Sequence, residues 1–277
     1  MPSKKSGNNA SDRSDSSSRR SFLRLAGGAF ATVPVAVATQ GKGRAETRTA
    51  YKIREGTPDE TTVYEIDSGK PGPTGVVVGG LHGIEEAGYI SANDVTEWSI
   101  DQGNLVVIPE ANQVAIKNDT YSNDNGNLNR KFPPGEEPTT PLAREIWKVV
   151  RDSDPDIVLS LHSSKGIYRS NVGPNGVGQA IYPTIAHGAK EDAVMTAQYM
   201  NQYHLDQSLP DHYRFRRGNL IDADRSLLTH KVAGDLHEVG FIVEVTRYGT
   251  TLDLRVRWTL NIIRHLLRRH GINRVYR

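Results

Sequence analysis

An α/β fold, a mostly parallel mixed sheet sandwiched by helices, is what this sequence predicts, on three observations. Short apolar runs recur at Gly75–Val78, Leu105–Ile108, Ile157–Leu161 and Phe241–Val245. They are Val/Ile/Leu-rich without polar alternation, as in strands covered on both faces. Helical spacing of apolar residues lies between them, and strands alternating with helices fold as parallel sheets. At 277 residues the chain is long enough to bury the core such a sheet needs.

Taken in order, residues 1–45 predict a leader and not part of the fold. Residues 3–21 are almost all polar and cannot bury a core. Arg19-Arg20-Ser21-Phe22-Leu23 follows, then a mild apolar stretch from Leu25 ending in Ala36-Val37-Ala38. Charged start, apolar middle and small-residue end read as an export signal, and the arginine pair resembles a twin-arginine signal. The partner expected here is the twin-arginine export machinery, and the expected location is outside the cell. The apolar stretch is too short to serve as a stable membrane anchor after processing. The alternative is a basic tail before a buried helix.

Residues 46–277 predict one catalytic-type domain. Thr61–Ile66 is a weaker strand, and residues 85–98 have helical spacing. The stretch 118–138, rich in Asn, Asp, Gly and Pro, predicts a long loop of functional or mobile character. A helix is predicted over Pro141–Val150, with Thr140 as N-cap and Pro141 at the first helical position. Lys190–Tyr203 is another. Leu252–His270 is the last, with Val256, Leu260, Ile263 and Leu267 as its apolar stripe and His265 and His270 solvated or near its C-terminal dipole.

Composition narrows the chemistry. The chain has no cysteine, which excludes disulfides, cysteine-ligated metals and a thiol nucleophile, so any metal is held by His, Asp and Glu. Net charge is +2, but residues 1–38 carry six cations against two anions, so the remainder is mildly acidic. No basic stripe with interleaved aromatics is present, and nucleic acid is not an expected partner. No Gly-x-Ser-x-Gly elbow supports a serine hydrolase.

Four sites carry chemistry. Gly79-Gly80-Leu81-His82-Gly83-Ile84-Glu85 directly follows the first buried strand, and in open α/β sheets ligands bind beyond the carboxyl ends of strands. His82 and Glu85 can grip one zinc ion there, or serve a surface or helix-capping role. His162 emerges at the end of the Ile157–Leu161 strand and completes a His2Glu set, unless it is a satisfied core histidine. Glu244 interrupts the Phe241–Val245 run; a carboxylate there is costly unless paired or placed in a cleft, where it can act as a general base. Arg130, beside Asn129 in the long loop, offers a guanidinium fork for a carboxylate, or is a solvated loop arginine. Tyr182 lines the pocket or packs in the core. His187, His204, His212, His230 and His237 have no ligand spacing.

The order of these motifs, a Gly-Gly-x-His-Gly-x-Glu, then Asn129-Arg130-Lys131-Phe132, then a strand-end His and a late-strand Glu, resembles the zinc carboxypeptidase superfamily. Within it the chain is most similar to the succinylglutamate desuccinylase/aspartoacylase family, over about Thr74 to Thr251. The resemblance implies one zinc ion on His82, Glu85 and His162. It implies that Asn129 and Arg130 bind a substrate carboxylate, and that Glu244 activates water and passes its proton to the leaving amine. Two positions depart from the family pattern. Asn127 stands where an Asp usually orients a ligand histidine, and the segment 112–127 lacks the usual oxyanion arginine, leaving Lys117, Arg169 or Tyr121 as substitutes. The implied activity is zinc-dependent hydrolysis of an amide in an N-acyl amino acid or a related small-molecule or peptide substrate with a free carboxylate. The alternatives are an exported metallocarboxypeptidase acting on peptides, or a catalytically weak metal-binding protein.

Overall fold

The computed structural model describes Val35–Ala36 and residues 45–276, all within the unit Thr32–Arg277. Arg19, Arg20 and most of the expected signal lie outside the described residues; Val35–Ala36, expected within the leader and outside the fold, instead pair antiparallel with residues 47–48 at the edge of the main sheet. The strands are β1 (Val35–Ala36), β2 (Thr47–Ile53), β3 (Thr61–Asp67), β4 (Thr74–Val78), β5 (Ser99–Ile100), β6 (Asn104–Ile108), β7 (Ile157–Ser164), β8 (Ala180–Pro183), β9 (Arg216–Arg217), β10 (Val239–Thr246) and β11 (Arg274–Val275). The helices are α1 (Glu86–Thr96), α2 (Gln113–Lys117), α3 (Pro141–Asp152), α4 (Ala189–Tyr203), α5 (Leu228–Lys231) and α6 (Leu252–Arg269).

The main sheet runs β1-β2-β3-β6-β4-β7-β10-β8-β9. Its four central strands, β6, β4, β7 and β10, are parallel, and β2, β3 and β8 join antiparallel. This is the expected α/β sandwich. From β4 the chain crosses through α1 to β6 on one side and later through α3 to β7 on the other. The carboxyl ends of β4 and β7 therefore frame a topological switch point, where open sheets place their ligands.

Alternation along the buried strands splits the core in two. Val77, Leu159, Leu161, Phe241 and Val243 face α1, α4 and α6, while Val76, Val78, Ile108 and Val158 face α3 and α5. By the same period of two, Ser160 and His162 in β7, and Ile242 and Glu244 in β10, point to the α3 and α5 face. Register makes Glu244 the direct neighbour of His162.

Local chemistry explains the helices. Thr140 caps α3, its side chain accepting from Ala143 N at 3.3 Å, with Pro141 opening the helix as predicted. In α6 the buried face is rotated from the expected stripe. Trp258, Ile262, Ile263, Leu266 and Leu267 are buried, while Val256 and Leu260 are half-buried. Trp258 supplies the largest apolar surface and sets which face turns inward. His265 and His270 are not free in solvent. His265 Nδ1 lies 2.9 Å from Thr196 Oγ1, and His270 Nε2 lies 3.0 Å from Asp192 Oδ2.

The long loop is anchored. Leu128 and Phe132 are buried in the α3-side core, and Phe132 N donates to Ser226 O at 3.1 Å. Lys231, 1 % exposed, donates to Pro133 O, Glu136 O and Asp235 Oδ2, so each of its protons has an acceptor. Burying one Phe side chain contributes roughly 1.5–3 kcal/mol. Two buried apolar anchors and a buried ammonium hold the segment carrying Asn129 and Arg130 against the body.

Candidate metal centre and cleft

The turn after β4 is built by glycine. Gly80 has φ of +71°, a left-handed conformation that L side chains rarely adopt. At Gly83 an added Cβ would meet Ala115 O at 2.0 Å, so the turn packs directly on α2. The tightness delivers His82 into the switch point and leaves Glu85 at the residue before α1.

There the structure brings His82, Glu85 and His162 together, with one donor atom of each within 4.8 Å of the others. All three side chains are buried, at 4 %, 7 % and 2 % exposed. His162 Nδ1 lies 2.7 Å from Glu85 Oε2. His82 Nδ1 lies 3.1 Å from the same oxygen but outside hydrogen-bonding geometry, and has no other partner. A buried nitrogen left unpaired costs about 1–3 kcal/mol. A cation between the three donor atoms removes that cost, so the residues fit a single borderline divalent ion such as zinc.

The outward ring nitrogens are held as metal-ligating imidazoles require. His82 Nε2 lies 3.0 Å from Asn127 Oδ1, so the amide at the departing position makes the contact expected of the usual carboxylate. His162 Nε2 faces Ser160 Oγ at 2.9 Å. Charge states agree with a ligand set. Burial works against the Glu85 carboxylate, but His162 and His82 together outweigh it and hold its pKa near 2. Burial holds the His162 imidazole below its ordinary range in spite of Glu85, keeping a lone pair available.

The cluster lies in a cleft of about 780 Å³, lined also by Tyr121, Arg130, Tyr182, Glu244 and Arg247. That volume suits a small molecule or short peptide. Glu244 is 8 % exposed, and its Oε2 has no partner. Burial, reinforced by Glu85, pushes its pKa well above the usual carboxylate range, with Arg247 opposing. Arg130 is exposed at the cleft and donates to Asn129 O at 2.7 Å. Asn129 is buried and committed: its Oδ1 accepts from Leu228 N at 3.0 Å, and its Nδ2 lies 3.4 Å from His162 Nε2. Of the three residues considered for the missing oxyanion arginine, Tyr121 lines the cleft, stacked on His82 at 3.9 Å between ring centroids, whereas Lys117 and Arg169 do not line it. Tyr182 lines it as well, donating to Val177 O at 2.9 Å.

Sequence reasoning missed Arg247, whose Nη1 donates to Ile84 O at 3.1 Å and whose buried Nε has no partner. Its signal was a cation immediately past the end of β10 and three residues from Glu244. His230 was also passed over, and it lines the same cleft.

A switch-point cleft holding a buried His2Glu cluster defines a zinc carboxypeptidase-like α/β protein. Residues 51–190, half of the chain, match the peptidase M99 family, described as carboxypeptidase controlling helical cell shape, catalytic, and the chain belongs to that family. The matched span contains His82, Glu85, Asn129, Arg130 and His162. The product-bound cell shape determinant protein Csd4 from Helicobacter pylori superposes with a TM-score of 0.62 at 22 % identity, over 78 % of this chain and 56 % of that one. The chain thus spans little more than half the length of this relative. The ectoine utilization protein EutE (DoeB) from Ruegeria pomeroyi has a TM-score of 0.57 at 16 % identity, over 88 % and 72 % of the two chains. A succinylglutamate desuccinylase/aspartoacylase from Rhodobacter sphaeroides has a TM-score of 0.54 at 19 % identity, over 86 % and 68 %. At these identities the likeness is one of fold. No curated protein gives a significant match. The desuccinylase resemblance therefore holds at the level of the fold, and the family is peptidase M99.

Proposed function

We propose that the protein is an exported, zinc-dependent carboxypeptidase that removes a terminal residue from short peptides bearing a free carboxylate. The observation that carries this reading is the buried His82–Glu85–His162 cluster with its unpaired His82 Nδ1, inside a span matching a carboxypeptidase family. That match favours peptides over the N-acyl amino acids expected from the sequence. Among the similar structures are a tripeptide-bound Csd4 and an mDAP-bound form described as a D,L-carboxypeptidase, which supports cell-wall peptides as the substrate class. Export, read from Arg19-Arg20 and the stretch after it, puts the enzyme where such peptides lie.

His82, Glu85 and His162 would hold a divalent ion, which would supply a Lewis acid for the scissile carbonyl, acidify water and, by its charge, favour the ionised form of Glu244. The Arg130 guanidinium pairs with the substrate's terminal carboxylate, an anchor that turns loose binding into an oriented geometry. Glu244, beside His162 and without a partner of its own, accepts a proton from the attacking water. It then returns that proton to the amide nitrogen as the C–N bond breaks, leaving a new carboxylate and a free amine. Tyr121 stays protonated because burial raises its phenol, so its hydroxyl remains a neutral donor to developing negative charge, whereas the Tyr182 proton is committed to Val177 O. Arg247 offsets the charge of Glu244.

One observation favours a second reading, a metal-binding protein with weak catalysis: neither Lys117 nor Arg169 lines the cleft to replace the missing arginine. A mass-spectrometric screen of the zinc-loaded protein separates the readings. Its substrates are free-acid peptides with L or D terminal residues, their amides, and N-acyl amino acids. Release of the terminal residue from free acids alone is expected. Turnover confined to N-acyl amino acids, or none at all, rejects the carboxypeptidase assignment.

A further inference from the structure

A second cluster stands on the wall of the same cleft. Asp222, Asp224 and His230 place one donor atom each within 4.8 Å of the others, and Asp224 and His230 line the cavity. Three acidic or imidazole groups near a surface are not by themselves a site; His230 makes the difference. It is 6 % exposed, and its Nδ1 is buried without a hydrogen-bond partner. That nitrogen lies 2.9 Å from Asp224 Oδ1, yet not in hydrogen-bonding geometry. The same signature marks the catalytic cluster, where His82 Nδ1 lies 3.1 Å from Glu85 Oε2 and is equally unpaired. In both, nitrogen and carboxylate crowd together without bonding to each other, as donors do around a shared cation.

The carboxylates are arranged to match. Asp222 Oδ1 accepts from Asp224 N at 3.2 Å, a turn that folds the two acids back on one another. Arg225 engages them only weakly: its Nε lies 3.8 Å from Asp224 Oδ2, with its side chain 71 % exposed. Burial lowers the pKa of the His230 imidazole, leaving it neutral with a lone pair to give.

We propose that Asp222, Asp224 and His230 form a second metal site, distinct from the His82–Glu85–His162 centre, for a first-row divalent ion such as Zn2+ or Mn2+. One imidazole with two carboxylates selects that class over Ca2+ or Mg2+, which take oxygen ligands and more of them. The site pins the segment 222–230. That segment holds the cleft in two places, through Leu228 N to Asn129 Oδ1 and through Ser226 O to Phe132 N. The second ion therefore rigidifies the support of Asn129 and Arg130 and positions them.

The test is metal stoichiometry. Full-length protein is stripped with chelator and titrated with Zn2+ by calorimetry, with Co2+ absorption as a second probe. Wild type is expected to bind two equivalents. The Asp222→Asn/Asp224→Asn double variant should bind one, Glu85→Gln should bind one, and the triple variant none. Both aspartates are exposed, and circular dichroism checks that the variants fold. Hydrogen exchange over 222–230 in Glu85→Gln should slow when Zn2+ is added, and should not in the triple variant. One equivalent in wild type, or two retained in the double aspartate variant, overturns the second site. Two equivalents in Glu85→Gln instead indict the catalytic cluster.

Discussion

Glu244→Gln should kill turnover and at the same time stabilise the metal-free protein. The carboxylate is 8 % exposed, its Oε2 is unpaired, and burial with Glu85 beside it raises its pKa. The folded state therefore holds this proton more tightly than the unfolded chain does. Stability from this group is fully present below the unfolded value of 4.5 and is lost as pH rises toward the folded one. The loss at pH 7 is capped at roughly 3 kcal/mol, because the unfolded carboxyl itself titrates at 4.5. Glutamine removes the ionisation and adds back roughly 1 kcal/mol for an imperfectly paired buried amide. The net gain is therefore at most roughly 2 kcal/mol, or no more than about 4–8 °C in melting temperature for a domain of this size. Thermal melts in chelator at pH 7 and pH 4.5 check it: the variant should be the more stable at pH 7 and no more stable, or slightly less, at pH 4.5. A variant no more stable than wild type at pH 7, or equally shifted at both pH values, would refute the reasoning that this carboxylate is held in strain for catalysis.

Arg130→Ala should raise KM for free-acid peptides about 10–150-fold, the loss of about 1.5–3 kcal/mol for a charge-assisted hydrogen bond, and leave amidated peptides unchanged. Steady-state kinetics on matched acid and amide pairs show whether the loss is selective. Asn127→Ala removes the 3.0 Å contact to His82 Nε2 and should weaken zinc about 10–100-fold, whereas Asn127→Asp should tighten it, both read by competition with a chelating dye. Thr140→Ala removes the cap of α3 and should cost about 1 kcal/mol in denaturant unfolding without changing zinc affinity. Arg19→Lys with Arg20→Lys should leave precursor inside the cell in a fractionation assay, and normal secretion would exclude a twin-arginine route.

The central sheet was legible because β4, β6, β7 and β10 are covered on both faces and so spell continuous apolar runs. Strand β2 was not, because residues such as Ala50 and Lys52 leave its pattern half-exposed and weak. Strands β8 and β9, of four and two residues, pair with β10 and with β8 respectively, across long separations that no local pattern records. His82 and Glu85 were legible because they follow the end of β4 at the switch point, and His162 because it follows the apolar run 157–161; the strand itself continues through His162 to Ser164. The face and register of Glu244 beside His162 follow from alternation once the strands are aligned. The commitment of Asn129 to Leu228 and His162 was not visible, since its partners lie 99 and 33 residues away. Arg247 and the Asp222–Asp224–His230 cluster escaped for a related reason: their meaning lies in which cleft they face.

The most direct test of the account is turnover of a free-acid tripeptide by chelator-stripped protein as zinc is returned. No terminal residue should be released before zinc is added, activity should return with the zinc, and Glu85→Gln should stay silent at every zinc concentration. Turnover that persists in chelator, or that survives in zinc-loaded Glu85→Gln, contradicts a catalytic centre built on His82, Glu85 and His162.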